Sequence, residues 1–428
     1  MERWSSGRTF LLAAIGSAVG IGNIWRFSSV VGQNGGGAYL VPYLVAVILF
    51  AMPLMILEFA VGRGMGKDVV SAFLSTRSPL RKLGWLIPIL LTLLLSYYLV
   101  ITGWTLAYAF YSLLGIDVKF SAFTSSLWPI ATFVASALAT GLVVSAGVRG
   151  GIEKISKILI PVVFIILVIM LLYSLTLSGV GEGFAFLFTP DFSVLGDPNI
   201  WSAAFGQAFF SLSVGFGILM TYGIYIERDV HIVKSTGFIA LGDLMVALLA
   251  GMVIFPIVFT LGLSPTLGTE LAFTTLPFAF ERLPLGQLMA VLFFSLLFFA
   301  ALTSSISMLE VDVTVLMQCK GWSRKRVTAL LTAVVFLIGL LPALSYSSVG
   351  LNLSGIPILD LMDTTVGDLG LPISGLLISL VFAYHLDQES LAKEIGERWA
   401  RPVLLLTRYL VPLLLGMVTA LSVAKFLV

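Results

Sequence analysis

The 428-residue sequence has few charged residues, one cysteine and two histidines. Charged residues make up 11% of the chain, against about 25% in a typical soluble domain, and the net charge is only +2. This composition excludes a disordered chain, a nucleic-acid-binding protein and an ordinary cytosolic enzyme. The lone Cys319 excludes a disulfide framework, and two histidines, His231 and His385, argue against a His/Cys metal site.

The sequence consists largely of long apolar runs. Hydrophobic residues make up 59% of the chain, and the mean hydropathy is +1.07. About 20 apolar residues in a helix cross the hydrocarbon core of a bilayer. We therefore predict a polytopic membrane protein with eleven spans: Arg8–Val31, Ala38–Gly62, Leu83–Gly115, Trp128–Ala146, Ile152–Leu177, Trp201–Ile226, Thr236–Leu263, Leu285–Met317, Val327–Leu344, Ile373–Tyr384 with its approach from about Ile358, and Pro402–Val428.

The lysines and arginines predict the orientation of these spans. Most of the 24 fall in segments that are cytoplasmic if the N-terminus is inside, and the exceptions are Arg26, Lys119, Arg282 and Lys425. Cytoplasmic loops of membrane proteins carry an excess of Lys and Arg. We expect a multi-pass protein of the cell membrane, with a cytoplasmic N-terminus and an extracellular C-terminus.

Two predicted spans are interrupted by glycine and hydroxyl residues near their middle, at residues 16–23 (GSAVGIGN) and 210–217 (FSLSVGFG). Each glycine costs about 1 kcal/mol of helix propensity. Backbone that is freed at this depth must face protein, ligand or ions. One such cluster is also typical of close helix packing, but two clusters five helices apart indicate a five-plus-five inverted repeat.

Several motifs resemble those of the neurotransmitter:sodium symporter family, in family order and over nearly the whole chain. They lie at residues 13–27 (AAIGSAVGIGNIWRF), 34–38 (NGGGA), 96–98 (SYY), 206–213 (GQAFFSLS) and 299–305 (FAALTSS). The resemblance implies an all-α membrane protein with a LeuT-type five-plus-five inverted repeat, discontinuous helices 1 and 6, and an eleventh helix. We expect the repeats at 1–177 and 201–386, an extracellular connection with a short helix at 178–200, and a cytoplasmic loop and helix 11 at 387–428.

The resemblance also implies two Na+ sites beside the interruptions and no organic cofactor. Site 1 would use Ala18, Asn23, Ser211, Asp243 and the substrate carboxylate; site 2 would use Gly16, Val19, Ala300, Thr303 and Ser304. Each of these groups supplies an oxygen, which is the ligand that a hard cation prefers. Backbone hydrogen bonding within helix 8 is the alternative role of Thr303 and Ser304.

The same resemblance places a small-molecule substrate between helices 1, 3, 6 and 8. The implied contacts are Ser17, Ala18, Ile21, Gly22, Leu94, Tyr98, Phe210, Ser211, Ser213, Phe216, Ser304 and Met308. Family members that carry amines without a carboxylate have Asp at the position of Gly20, so glycine here favours an α-amino acid. The largely apolar wall favours a hydrophobic side chain, aliphatic or aromatic. Another small zwitterion, or a receptor that does not transport, remains the alternative.

Charged residues inside the spans are expected to form gates. The family pairs the positions of Arg26 and Asp363 on the extracellular side, above Tyr98 and Phe216, although Arg26 could instead reach the outer interface. On the cytoplasmic side Tyr225 matches the inner-gate tyrosine of the family.

Two further positions leave alternatives open. The usual Arg and Asp of the cytoplasmic gate are replaced by Met1 and Gln318, which leaves a pairing through Arg3 or other groups open. Glu58 either accepts hydrogen bonds from the interrupted backbone or reaches water.

Asp243 is the most informative departure from the family. Many members have a sodium-binding Asn here, and chloride-dependent members have a hydroxyl where this chain has Ala247. A carboxylate at Asp243 can supply the negative charge that chloride would otherwise bring. We predict symport that is independent of chloride, with proton antiport through Asp243 as a second possibility. We expect no enzymatic activity and a monomer or weak homodimer.

Overall fold

A computed structural model describes residues 2–265 and 271–427. Within these residues, nine unbroken helices are long and apolar enough to cross a bilayer. They are Gly36–Met65, Arg81–Leu114, Trp128–Ser145, Val148–Ser174, Ile232–Thr260, Gly286–Lys320, Arg324–Ala343, Ile358–His385 and Glu397–Val423.

Two further spans are interrupted, as predicted. The first consists of Gly7–Ala18 and Gly22–Gln33, which are bent by 58° relative to each other. The other consists of Pro198–Ser211 and Ile218–Ile224. The helices therefore follow the predicted order of eleven, and we number them as spans 1 to 11.

Span 10 includes the polar approach that was predicted for it. The sequence predicts Ile373–Tyr384 with an approach from about Ile358, and the helix is continuous from Ile358 to His385. Its first part contains an eight-residue π-helical segment, Asp363–Gly370. π-helical turns inside α-helices occur frequently at functional sites.

Short elements connect the spans. The connection between spans 5 and 6 carries the helix Val180–Phe188 and the 3-10 turn Phe192–Gly196, so the expected short helix is confirmed. The other connections carry Val69–Leu74, Phe120–Thr124, Leu271–Thr275, Leu276–Arg282, Gln388–Ile395 and a two-stranded hairpin, Asn352–Leu353 with Ile356–Pro357.

The packing of the spans places both interruptions at the centre of the molecule. Span 3 packs on spans 4, 8 and 9, while span 2 packs on the second half of span 6. Span 1 packs on spans 5, 7 and 8. Gly62 of span 2 lies so close to the Met220 carbonyl of span 6 that no side chain would fit there. The interruptions of spans 1 and 6 therefore face each other between spans 3, 7 and 8.

Candidate functional site

The interruption of span 6 exposes backbone groups that need partners. Ser213, Gly215 and Gly217 have positive φ angles of 52°, 85° and 74°, so the helix cannot continue through them. The Gly215 N–H donates to Oε1 of Glu58 at 2.6 Å, and the Ser374 hydroxyl donates to the Gly215 carbonyl at 2.7 Å. Glu58 is fully buried, so its predicted role as an acceptor for interrupted backbone is confirmed and its alternative role in water is wrong.

Side chains and backbone from spans 1, 3, 6 and 8 enclose a small cavity of about 10 Å³. Its wall consists of Ser17, Ala18, Gly20, Gly22, Asn23, Tyr98, Phe210, Ser211, Ser213, Phe216, Ser304 and Met308. Most of the predicted substrate contacts are therefore brought together. Leu94 and Ile21 are buried but do not form part of this wall. The predicted contacts themselves remain predictions.

Two glycines of span 1 allow other side chains to approach the backbone. A Cβ atom at Gly20 would lie 2.8 Å from Oγ of Ser304 and 3.1 Å from the Tyr98 hydroxyl. A Cβ atom at Gly22 would lie 2.9 Å from the Phe210 ring. Both distances from the added Cβ atom at position 20 are shorter than ordinary van der Waals contacts. A larger residue there would therefore displace the hydroxyl groups of Ser304 and Tyr98, which face the cavity.

Asp243 lies beside this cavity, with hydrogen-bond donors on both carboxylate oxygens. The Ser211 hydroxyl is 2.8 Å from Oδ1 and 2.9 Å from Oδ2, and the Asn23 amide nitrogen is 2.5 Å from Oδ1. The Tyr43 hydroxyl donates to Oδ2 at 3.2 Å. Asn23 and Ser211, which are both predicted for sodium site 1, therefore contact the buried carboxylate of Asp243, a third residue of that site. Oxygen ligands with a negative charge suit a hard monovalent cation.

The residues predicted for sodium site 2 lie where span 8 meets the interruption of span 1. The Ser304 hydroxyl is 3.4 Å from the Val19 carbonyl, and the Thr303 hydroxyl donates to the Ala300 carbonyl at 3.0 Å. A Cβ atom at Gly16 would lie 3.5 Å from Cβ of Thr303. The five residues are adjacent, and the backbone hydrogen bond of Thr303 is the one expected of a hydroxyl inside a helix.

Comparison with known proteins identifies the family of this chain. The model of the sodium:neurotransmitter symporter family matches residues 1–116 and 113–428. The chain belongs to the sodium:neurotransmitter symporter family. A sodium-dependent transporter of Bacillus subtilis, YhdH, is 36% identical over 430 residues, which cover 96% of this symporter and 95% of the relative.

Further matches agree with this assignment. A sodium-dependent transporter of Methanocaldococcus jannaschii is 32% identical over 431 residues, which cover 92% of this symporter and 84% of the relative. The crystal structure of MhsT in complex with L-phenylalanine has a TM-score of 0.90 and 38% identity, covering 99% of both chains. The LeuT-type fold is thereby confirmed, and the protein is a multi-pass, sodium-dependent symporter.

The residues predicted for the extracellular gate have other direct partners. Arg26 donates to Asp368 at 3.3 Å and lies over the Phe210 ring at 4.8 Å from its centroid. Asp363 instead accepts a hydrogen bond from the Tyr97 hydroxyl at 3.0 Å. The direct ion pair of Arg26 is therefore with Asp368, and the pairing of Arg26 with Asp363 stays a prediction. The two aspartates are five residues apart in the π-helical segment of span 10, where that spacing returns to about the same face.

The ends of spans 8 and 9 near Tyr225 contain an ion pair that the sequence did not predict. Glu310 of span 8 is fully buried and binds Arg324 of span 9 at 2.6 Å. The Tyr225 hydroxyl donates to the same carboxylate at 2.8 Å, and Glu2 lies 4.0 Å from Arg324. The predicted inner-gate tyrosine is thus attached to a charged network. In the sequence, Arg324 stands out only as part of the basic run at the start of span 9, and this run does not indicate that Glu310 is its partner.

The positions that replace the usual cytoplasmic gate have other contacts. Met1 lies outside the described residues, and the Gln318 side chain accepts a hydrogen bond from the Asp68 backbone N–H at 3.0 Å. The Arg3 carbonyl accepts a hydrogen bond from Arg149 at 2.7 Å. Trp4 anchors the N-terminal segment instead, because its indole N–H donates to the Tyr222 carbonyl at 3.2 Å.

Proposed function

We propose that this symporter imports a hydrophobic L-amino acid together with Na+ and without chloride. The observation that carries this proposal is the wall of the central cavity. It combines interrupted backbone, the Tyr98 hydroxyl and a glycine at position 20 with the apolar side chains of Phe210, Phe216 and Met308. MhsT, which is 38% identical, was crystallised in complex with L-phenylalanine, and this supports the same substrate class.

In the proposed binding mode, the backbone of span 1 and Tyr98 recognise the substrate carboxylate. The N–H groups of Ile21 and Gly22 begin the second half of span 1, where the partial positive charge of a helix N-terminus favours an anion. Gly20 leaves no side chain between the backbone and the Tyr98 hydroxyl. A substrate must therefore bring its own carboxylate. Burial of its apolar side chain contributes about 1.5–3 kcal/mol.

We propose that two Na+ ions are transported with the substrate. Site 1 contains the Asp243 carboxylate, Ser211 and Asn23, and it is completed by the substrate carboxylate. Site 2 contains Thr303 and Ser304 with three backbone carbonyls. Because site 1 shares a ligand with the substrate, each increases the affinity of the protein for the other.

The chloride independence that we propose rests on the surroundings of Asp243. Tyr43, Ser211 and Gln207 match the positions that bind chloride in chloride-dependent members. Here the carboxylate of Asp243 already accepts hydrogen bonds from Tyr43 and Ser211, so a chloride ion would compete with it for the same donors. Ala247, at the fourth position, offers no hydrogen bond.

We propose alternating access as the mechanism, with a cytoplasmic N-terminus and a single chain as the transporting unit. The Arg26–Asp368 pair above Phe210 restrains the extracellular side, and the network of Glu310, Arg324 and Tyr225 restrains the cytoplasmic side. Na+ and substrate shift the balance between the two sides through their different affinities for each state. We propose transport without enzymatic chemistry, since His231 and His385 lie at ends of spans, away from Ser211 and Ser304.

Binding measurements on the purified protein test the substrate class. Titration calorimetry in NaCl should detect Leu, Ile, Met, Phe, Tyr or Trp, with little heat from glycine, betaine or γ-aminobutyrate. The same titrations in KCl should show no binding. Preferred binding of glycine or betaine in NaCl would favour the small-zwitterion alternative. Equal affinity for the hydrophobic amino acids in NaCl and KCl would contradict the two proposed sodium sites.

A further inference from the structure

A groove of about 490 Å³ lies between spans 4 and 9, well away from the transport site. Its wall is mostly aliphatic and aromatic. The residues that matter here are Leu138, Gly141 and Leu142 of span 4 and Lys325, Ala333 and Phe336 of span 9. Nothing in the proposed transport mechanism uses this groove.

The groove faces the hydrocarbon of the membrane. Leu138 and Leu142 on its wall are 55% and 70% exposed, and Leu337 beside it is 63% exposed. Exposed apolar side chains of a spanning helix face the hydrocarbon of the bilayer unless another protein covers them. The wall extends along span 4 from Val134 to Ser145, which is about 17 Å at 1.5 Å per residue. This length is close to half of the ~30 Å hydrocarbon core, so the groove matches one leaflet.

The end of the groove next to the loop between spans 8 and 9 is basic. Lys325 forms part of the wall and is exposed, and no ion pair of Lys325 occurs within residues 2–265 and 271–427. Lys320 and Arg326 are close in sequence, and Arg326 lies 4.4 Å from the centroid of the Trp322 ring. The sequence contains no Asp or Glu from residue 313 to residue 359. Glu310 and Glu2 lie at this end but pair with the neighbouring Arg324, so within the described residues the exposed Lys325 is the charge that complements an anion.

We propose that this groove binds one anionic phospholipid of the cytoplasmic leaflet. The phosphate-containing headgroup would lie at Lys325, and an acyl chain would lie along Leu138, Leu142 and Phe336. Basic pockets between spanning helices on the cytoplasmic side are suited to anionic headgroups. A helix from a second copy of the chain could also cover an apolar groove, but it would leave Lys325 without an opposite charge. The proposal does not depend on the identity of the transported substrate.

Native mass spectrometry of the detergent-purified full chain tests the proposal. The probes are dioleoyl phosphatidylglycerol and dioleoyl phosphatidylcholine, which share their acyl chains and differ in headgroup charge. We expect one phosphatidylglycerol to bind at least fivefold more tightly than phosphatidylcholine. A factor of about five corresponds to the ~1 kcal/mol that one basic residue contributes near anionic lipid.

Two variants at exposed positions distinguish the contribution of the Lys325 charge to lipid binding from that of the shape of the groove. Lys325→Gln should reduce the preference for phosphatidylglycerol about fivefold, and Ala333→Trp should fill the groove and weaken both lipids. The matched controls are Lys82→Gln, which lies on another cytoplasmic segment, and Leu337→Trp, one turn beyond Ala333 and outside the groove wall. Both controls should bind lipid like the unaltered chain, and thermal unfolding should show that all four variants are folded.

Three results would overturn the proposal. Equal binding of the two lipids would show that headgroup charge is not recognised. A preference for phosphatidylglycerol that survives both Lys325→Gln and Ala333→Trp would place the lipid elsewhere. A dimer that Ala333→Trp dissociates without any change in lipid binding would assign the groove to a second copy of the chain.

Discussion

The hydrogen-bond donors around the Asp243 carboxylate are neutral groups and include no basic side chain. Ser211, Asn23 and Tyr43 all donate to it, and it is almost fully buried. A buried charge of this kind is retained only if an ion or a proton compensates it. At the scale of single residues, the proposed sodium site 1, the proposed chloride independence and the possible proton antiport all depend on this carboxylate.

Replacing Asp243 with Asn should make transport depend on chloride. The substitution removes the negative charge but keeps hydrogen-bonding groups near Tyr43 and Ser211, so chloride can take the place of the carboxylate. In proteoliposomes, we expect sodium-driven uptake in gluconate to fall about tenfold and chloride to restore part of it. Asp312→Asn is the matched control, because Asp312 is also a buried carboxylate in a span but contacts Thr92, away from the cavity. Uptake by Asp243→Asn that is unchanged in gluconate would contradict the role of Asp243.

Replacing Gly20 with Ala should weaken substrate binding without unfolding the protein. The new Cβ atom would lie 2.8 Å from Oγ of Ser304 and 3.1 Å from the Tyr98 hydroxyl, so both groups would have to move. We expect the dissociation constant to rise at least tenfold, which is about 1.4 kcal/mol. Gly237→Ala in span 7 is the control, since no atom lies within 4 Å of its added Cβ. Equal affinity of the two variants, measured by calorimetry, would show that Gly20 does not line the binding site.

At the scale of helices, the apolar runs and glycine clusters predict the spans and their interruptions well. A run of about 20 apolar residues has few alternatives to a spanning helix, and glycines such as Gly20 and Gly215 mark where the helix is interrupted. Contacts between helices are harder to predict. Arg26 pairs with Asp368, which lies five residues beyond Asp363 in the π-helical segment, and the sequence does not indicate which of the two aspartates lies nearer to Arg26.

The pair of Glu310 and Arg324 joins spans 8 and 9 and should be important for stability. Glu310 is fully buried, so Arg324→Gln leaves a buried carboxylate without its cation. Removing one partner of such a pair typically costs about 3–5 kcal/mol, whereas replacing both partners costs much less. We expect Arg324→Gln to lower the midpoint of thermal unfolding and the double variant with Glu310→Gln to restore most of the loss. No recovery in the double variant would show that the pair stabilises through packing rather than charge.

At the scale of the whole molecule, the proposed orientation rests on the distribution of basic residues and can be tested at the single cysteine. Cys319 is exposed at the end of span 8, which is cytoplasmic if the N-terminus is inside. A membrane-impermeant maleimide should label it in inside-out vesicles and leave it unlabelled in intact cells. Cys319→Ser is the blank, and Ser193→Cys in that background should show the reverse pattern, because Ser193 lies in the exposed connection between spans 5 and 6. Labelling of Cys319 in intact cells would reverse the proposed orientation.

Sodium-driven uptake of a labelled hydrophobic amino acid into proteoliposomes tests the central claim most directly. The purified symporter should accumulate leucine, phenylalanine or tryptophan under an inward Na+ gradient with gluconate as the only external anion. Accumulation should stop when K+ replaces Na+ and should not rise when chloride replaces gluconate. Accumulation that requires chloride would contradict the role of Asp243, and accumulation that persists in K+ would contradict sodium coupling through Asn23, Ser211, Thr303 and Ser304.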